Sequence, residues 1–153
     1  MFRKTALLVI LNDKNQIMLC MKKRGFGKGK LNGPGGKQEG NEDIVQTAIR
    51  ETLEETCLDV SNNLKEVGIL HFHFKNNLDW NNTAHIFLSK NVIDKPKETD
   101  EMKPYFFEID KIPYEKMWSA DRIWIPRILA GEEVEYNIYF DENGGLEKYK
   151  LIK

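Results

Sequence analysis

The chain of 153 residues has few cysteines: Cys20 and Cys57 are too few for the disulfide framework that stabilises small secreted domains. It also lacks an excess of charge of one sign, because its formal net charge is -1 although 31% of its residues are charged. A surface of mixed sign argues against a protein that coats nucleic acid or lies on a membrane. We therefore expect a reduced, cytoplasmic protein that binds neither nucleic-acid polymers nor membranes.

Long hydrophobic runs are absent too. The apolar stretch at residues 6–11 ends in a polar turn, so it is too short for a signal peptide or a membrane-spanning helix. The sequence contains no internal repeat, low-complexity tract or linker. With 41% hydrophobic residues, its length fits one domain over residues 1–153, and we expect a monomer.

Hydrophobic periodicity predicts both strands and helices. Strands are predicted over residues 5–11, 16–21, 67–74, 83–89, 105–109, 134–140 and 146–152. Helices are predicted over residues 41–56, capped by Asn41, and over residues 119–130, capped by Ser119 and kinked at Pro126. Residues 22–30, with five cations and three glycines, and residues 32–36 are predicted to be irregular. The predicted fold class is α+β, with a sheet between helices.

Three acidic residues distinguish the first predicted helix. Glu51, Glu54 and Glu55 have i, i+3 and i+4 spacing, so their carboxylates emerge on one face and repel one another without a cation. Magnesium prefers carboxylate, carbonyl and water oxygens and commonly bridges to substrate phosphates. Alone, these residues would be more typical of a solvated helix face. Here they end a longer pattern, Gly-x5-Glu-x7-Arg-Glu-x2-Glu-Glu, that begins at Gly36.

This pattern resembles the Nudix box, Gly-x5-Glu-x7-Arg-Glu-U-x-Glu-Glu-x-Gly-U, in which U is bulky and aliphatic, and the spacing matches without a gap. Two positions depart from it. Thr52 occupies an aliphatic position, and Cys57 replaces the last glycine, where a left-handed backbone would be strained by a side chain. Neither departure removes a metal ligand. The resemblance implies a Nudix α/β/α sandwich with a mixed sheet.

Further segments, at residues 22–29, 32–36, 100–104 and 117–126, are similar to the MutT-homologue type of this family, which hydrolyses oxidised purine deoxynucleoside triphosphates. The resemblance implies that a nucleoside monophosphate and pyrophosphate are the products. It implies Mg2+ as cofactor, with Mn2+ able to replace it. The metal ligands it implies are Gly36, Glu51, Glu54, Glu55 and Glu101, and the catalytic residues are Arg50, Glu51, Glu54 and Glu55, with Arg50 positioning the glutamates.

The same resemblance implies a set of substrate-binding residues, namely Thr5, Lys22, Phe26, Asn32, Phe72, Phe74, Met102, Trp118 and Asp121. An asparagine such as Asn32 offers both a donor and an acceptor to a purine edge, and Trp118 is expected to stack on the base. Other interpretations stay open for several members of this set. Phe72, Phe74 and Met102 also fit a core. Lys22 fits a solvated basic loop with Lys23 and Arg24, and Asp121 fits the first turn of a helix.

The family pattern has two adjacent aspartates where this chain has Ala120 and Asp121. Two close carboxylates in an apolar pocket raise one of their pKa values, so the loss of the first predicts that Asp121 ionises more readily. It also predicts narrower or altered base selectivity.

His71, His73 and His85 lie in predicted strands without a tight ligand cluster, and we interpret them as core or solvent-facing residues.

The leading prediction is a magnesium-dependent diphosphatase that acts on modified purine nucleoside triphosphates such as 8-oxo-dGTP. One alternative is a Nudix hydrolase of another nucleoside diphosphate compound, such as ADP-ribose or a dinucleotide polyphosphate. A second alternative is a module that binds a nucleotide without turning it over. The intact glutamate pattern argues against the binding module. Release of pyrophosphate in the presence of magnesium would distinguish a hydrolase from a module that only binds.

Overall fold

The computed structural model describes residues 2–153. The strands are β1 (Arg3–Asn12), β2 (Gln16–Lys22), β3 (Leu31–Asn32), β4 (Gly35–Lys37), β5 (Lys65–Phe74), β6 (Asn82–Val92), β7 (Met102–Glu108), β8 (Val134–Phe140) and β9 (Leu146–Leu151). The helices are α1 (Ile44–Thr56) and α2 (Asp121–Leu129), and short 3-10 turns span Leu78–Trp80 and Tyr114–Lys116. Within this part of the chain, no helix is long and apolar enough to cross a membrane.

The strands form one mixed sheet in the order β3-β2-β1-β6-β5-β8-β9, with β4 also paired to β1 and β7 to β2. β1 pairs in parallel with β6, and β5 with β8, whereas the other pairs are antiparallel. The two very short strands, β3 and β4, fall where we predicted irregular backbone. They are extended because they pair with distant strands: Asn32 lies opposite Cys20, and Gly36 lies opposite Ala6.

The two helices pack on opposite faces of the sheet. α1 covers a core that includes Ala6, Leu8 and Phe87, and α2 contributes Trp124 and other residues to a larger core on the opposite face. Because both faces of β1 are covered, it reads as a continuous apolar run instead of an alternating one. The predicted α+β class and α/β/α sandwich are confirmed.

The helix N-termini differ from their predictions. Asn41 is not the cap of α1: Asp43 accepts a bond from the Gln46 backbone, and the Gln46 side chain accepts one from the Asp43 backbone. This reciprocal capping box satisfies two helix-end donors, which explains the later start. Ser119 does not cap α2, because its hydroxyl accepts a bond from the Leu146 backbone across the fold.

Both departures from the Nudix box are accommodated in α1. Cys57 ends the helix with a φ of 65°, so the left-handed geometry persists although glycine is absent. Thr52 is fully buried, and its hydroxyl donates to the Ala48 carbonyl at 2.8 Å. The buried hydroxyl therefore has a partner, and Thr52 can occupy an aliphatic position.

Candidate active site

One cavity brings the predicted substrate residues together. Its volume of about 320 Å³ is near the lower end of the range, roughly 300–1,000 Å³, that is usual for ligand pockets. The residues that line it include Thr5, Lys22, Phe26, Asn32, Phe72, Phe74, Met102, Trp118 and Asp121, together with Gly36 and Glu55. Arg50, Glu51, Glu54 and Glu101 lie outside its lining. The cavity therefore extends from β5 and α2 to the edge of the glutamate helix.

Aromatic rings form one end of the cavity, which we call the base end. Phe26 stacks on Trp118 with ring centroids 5.0 Å apart, and Phe74 stacks on Phe140 at 4.7 Å. Phe72 and Phe74 lie two apart on β5, and both line the cavity, as their spacing predicts. Trp80 adds a further ring, 4.4 Å from that of Phe26. These rings provide the flat apolar surface on which a nucleobase can stack.

Asp121 supplies a polar group at the base end. Its side chain is buried, and Oδ1 accepts a bond from the Trp124 indole N–H at 3.2 Å. Oδ2 is also buried and has no hydrogen-bond partner among residues 2–153. An unpaired buried polar atom is costly, so a ligand that bonds to Oδ2 would be favoured. Asp121 also lies in the first turn of α2, as the alternative interpretation expects, but it is buried there and lines the cavity.

Burial governs the pKa of Asp121, and its comparison with a two-aspartate pair stays a prediction. Burial raises the pKa of Asp121 to about 7, although the Trp124 bond and the charge of Lys30 act in the opposite direction. Loss of the neighbouring carboxylate at Ala120 does not lower this pKa to an ordinary value, because desolvation of the carboxylate is the dominant cause. Near neutral pH, the group can therefore act as a donor or as an acceptor.

Arg50 organises the acidic face of α1. Its guanidinium donates to both carboxylate oxygens of Glu42, at 2.7 and 3.0 Å, and to Glu51 at 3.0 Å and Glu54 at 3.3 Å. Its bonds to Glu42 lower the pKa of that carboxyl to about 2. Arg50 thus has the contacts needed to position the glutamates.

Glu55 and Glu51 lie in a site of concentrated negative charge. Burial raises the pKa of Glu55 to about 8, with further contributions from the charges of Glu51 and Glu101, although a bond from the Gly35 N–H at 2.9 Å opposes the shift. Burial likewise raises the pKa of Glu51. A divalent cation would relieve this repulsion, so the donor chemistry fits magnesium.

The glutamate carboxylates are engaged by protein groups in this structure. Among residues 2–153, no three carboxylate, histidine or cysteine side chains converge closely enough to hold a metal ion. Arg50 binds Glu51 and Glu54, and Gly35 binds Glu55. Joint ligation of a cation would require these carboxylates to converge more closely than they do here.

Gly36 makes the close contact between β4 and α1 possible. A Cβ at this position would lie 2.4 Å from the carboxyl carbon of Glu51. A larger residue here would displace the end of the Glu51 side chain, so glycine leaves the space that this carboxylate occupies beside β4. The first glycine of the sequence pattern and its first helix glutamate are therefore neighbours in space.

The basic loop contributes its cations unequally. Lys22 lines the cavity, whereas Lys23 pairs with Glu98 and Arg24 pairs with Glu101 at 3.3 Å. Lys30, which we did not predict, also lines the cavity, and its ammonium lies 5.0 Å from the Trp118 ring centroid. Lys22 and Lys30 are therefore the cations of this loop that line the cavity.

Other cavity residues missed from the sequence are Arg3, Trp80, Asn82 and Phe140. Phe140 ends a predicted strand, but its place opposite Phe74 in the sheet is visible only in the structure. Trp80 lies in a polar segment without periodicity.

The histidines lie outside this cavity lining and bond to other residues: His71 to Glu135, His73 to Asn137 and His85 to Glu66.

Comparisons with known proteins agree with this geometry. The NUDIX domain profile matches residues 1–128. The chain is 44% identical to the Oxidized purine nucleoside triphosphate hydrolase of Danio rerio, covering 97% of this chain and 94% of that protein. It is 36% identical to the Mus musculus protein of the same name, covering 94% and 91% respectively.

A solved structure has the same fold. The crystal structure of the mMutator MutT protein from Bacillus halodurans aligns with a TM-score of 0.82, covering 99% of this chain and 98% of that one. Because the identity is 23%, this likeness concerns the fold alone. The profile match and the extended identity to the two curated relatives establish that the chain belongs to the NUDIX domain family.

Proposed function

We propose that this protein is a magnesium-dependent hydrolase of oxidised purine nucleoside triphosphates, with 8-oxo-dGTP as the leading substrate and a monophosphate and pyrophosphate as products. The observation that carries the proposal is the continuity of one cavity from the aromatic base end to Gly36 and Glu55. A nucleotide with its base among the rings would direct its phosphates toward the glutamate helix. The names of the two relatives support the same substrate class.

At the base end, stacking and hydrogen bonding would act together. The rings of Trp118 and Phe74 offer stacking surfaces, while Asn32 and Asp121 line the same cavity with polar groups. The unpartnered Oδ2 of Asp121 is available to a purine edge. A pocket of apolar walls with a few directed polar groups is typical of a site that selects one flat ligand.

At the phosphate end, Glu51, Glu54 and Glu55 would hold the metal, with the Gly36 carbonyl and Glu101 as further oxygen donors. When bound, magnesium offsets phosphate charge and activates water, and Mn2+ is expected to replace it. Arg50 would keep the glutamates oriented through its bonds to Glu42, Glu51 and Glu54. Lys22, which lines the cavity, would contact the phosphate oxygens.

A substrate panel tests the proposal. The purified full-length protein would be incubated with MgCl2 and 8-oxo-dGTP, dGTP, ADP-ribose or a diadenosine polyphosphate, and pyrophosphate, orthophosphate and nucleotide products would be quantified. We expect the highest kcat/KM for 8-oxo-dGTP, with pyrophosphate as the released fragment and no turnover in EDTA. Preferred cleavage of ADP-ribose or the dinucleotide would support the other hydrolase, and binding without turnover would support the nucleotide-binding module.

A further inference from the structure

We infer that Trp80 is a further substrate-contact residue, which closes the base end of the cavity and increases its preference for purines. The inference rests on the function proposed above and assigns a specificity-determining residue to that site. Trp80 lies on the 3-10 turn between β5 and β6, outside the segments similar to the MutT-homologue type, yet it lines the cavity.

Trp80 extends the aromatic surface across the cavity. Its ring centroid lies 4.4 Å from that of Phe26 and 5.6 Å from that of Phe74, with the Trp80 and Phe74 rings perpendicular. Phe26 in turn stacks on Trp118. Both tryptophans therefore contact Phe26, and one connected aromatic surface runs from the segment before α2 to the β5–β6 turn.

Hydrogen bonds from cavity residues hold the turn that carries Trp80. The Asn82 side chain donates to the Trp80 carbonyl and accepts a bond from the Thr5 hydroxyl, each at 2.9 Å. The Asn81 side chain accepts a bond from the Phe74 N–H at 2.6 Å. Because Thr5 and Asn82 line the cavity themselves, the cavity wall determines where the Trp80 backbone lies.

Despite these contacts, 41% of Trp80 and 47% of Phe26 remain exposed. Large aromatic surface left exposed beside a cavity commonly marks a place where a ligand binds. A planar base that covers these rings would gain stacking energy in proportion to its ring area, so a two-ring purine gains more than a pyrimidine. Leu78, in the same turn, is 71% exposed and lies outside the cavity lining, which makes it a matched control.

The test compares the full-length wild type with Trp80→Ala, Trp80→Phe and Leu78→Ala. Binding of 8-oxo-dGMP and of dCMP would be measured calorimetrically in EDTA. Trp80→Ala should weaken 8-oxo-dGMP binding about tenfold, the order expected for one lost stacking contact, and should affect dCMP less. Trp80→Phe should retain most of the affinity, and Leu78→Ala all of it. In MgCl2, Trp80→Ala should raise KM for 8-oxo-dGTP by a similar factor with kcat unchanged.

Unchanged affinity and KM in Trp80→Ala would overturn the inference. Equal losses of affinity for 8-oxo-dGMP in Trp80→Ala and Leu78→Ala would also overturn it. Such losses would come from a changed backbone in the turn and not from a missing ring contact. Melting temperatures check that each variant is folded, and Trp80→Phe supplies the comparison if the alanine variant unfolds. Because the binding experiment needs neither metal nor turnover, its result is distinguishable from a failure of the proposed hydrolase activity.

Discussion

Asp121→Asn tests whether the buried acid at the base end titrates in the folded protein. Asparagine keeps the shape of the side chain but removes its ionisation. The Asp121 carboxyl has a pKa of about 7 because of burial, and the charge of Lys30 opposes that shift. Tyr114 is the other titratable neighbour, and its pKa is raised by burial and by the Asp121 charge. Asp121→Asn therefore removes one titration, that of the buried Asp121 carboxyl.

The sign of the pH effect follows from the two pKa values. The folded-state pKa of about 7 lies above the ordinary value of 3.8, so between them the folded chain holds a proton that the unfolded chain has lost. The contribution of Asp121 to the free energy of unfolding therefore falls as pH rises from 3.8 through 7 and stays constant above that. At about 1.4 kcal/mol for each pKa unit, the loss between pH 5 and pH 8 is about 2–3 kcal/mol.

Urea unfolding of ligand-free protein at pH 5 and pH 8 measures this loss. The wild type should lose about 2–3 kcal/mol more free energy of unfolding than Asp121→Asn over this interval. Contributions from other acids cancel, since both proteins contain them. Asp110→Asn, which changes an exposed aspartate, should behave like the wild type. Equal pH dependence in the wild type and Asp121→Asn would refute the reasoning.

The same variant tests recognition of the base. If Asp121 bonds to the purine edge, Asp121→Asn should change the ratio of kcat/KM between 8-oxo-dGTP and dGTP, because an amide cannot exchange donor and acceptor roles by titration. Steady-state kinetics with both nucleotides at one pH measure the ratio. An unchanged ratio would assign Asp121 a structural role and leave Asn32 as the main polar contact to the base.

Three further substitutions test other parts of the site. Glu55→Gln should lower turnover by orders of magnitude without unfolding the protein, because it removes charge from the metal-binding face; near-wild-type pyrophosphate release at saturating magnesium would contradict this. Trp118→Ala should chiefly raise KM, since stacking binds ground and transition states about equally; an unchanged KM for every purine triphosphate tested would show that Trp118 does not bind the substrate. Cys57→Gly should raise the free energy of unfolding by roughly 1 kcal/mol, because a φ of 65° favours glycine; lower stability in urea unfolding would argue otherwise.

Features set by local spacing were predictable from the sequence. Alternation predicted the strand Val134–Phe140 to the residue, because its buried and partly exposed positions alternate regularly. The glutamate helix was predictable for a similar reason, since i, i+3 and i+4 spacing places side chains on one face wherever the helix lies. The first residue of this helix was harder to predict, because Asn41 and Asp43 are both good N-caps. Only Asp43 has a glutamine, Gln46, three residues later to complete a capping box.

Features set by contacts between distant segments were not predictable in this way. The strands Leu31–Asn32 and Gly35–Lys37 are too short to show a period and are extended only because β2 and β1 lie beside them. Trp80 follows a run of polar residues, and its place in the cavity depends on bonds from Asn82 and Asn81, which the fold brings into register with β1 and β5. The sequence alone does not reveal such a contact.

The raised pKa of Asp121 could not be predicted from the sequence for the same reason. The sequence predicts only a relative effect, namely that Asp121 ionises more readily than in a pair of close carboxylates. Desolvation depends instead on packing, and Asp121 is enclosed by the fold beside Ala120, which is also fully buried. Replacement of an acid by Ala120 removes a repelling charge but leaves an apolar neighbour in its place, and both changes act on the same pKa in opposite directions. We therefore expect base selectivity to depend on a single carboxyl whose protonation changes near neutral pH, so the kcat/KM ratio of 8-oxo-dGTP to dGTP should itself vary between pH 6 and pH 8 in the wild type and stay constant in Asp121→Asn.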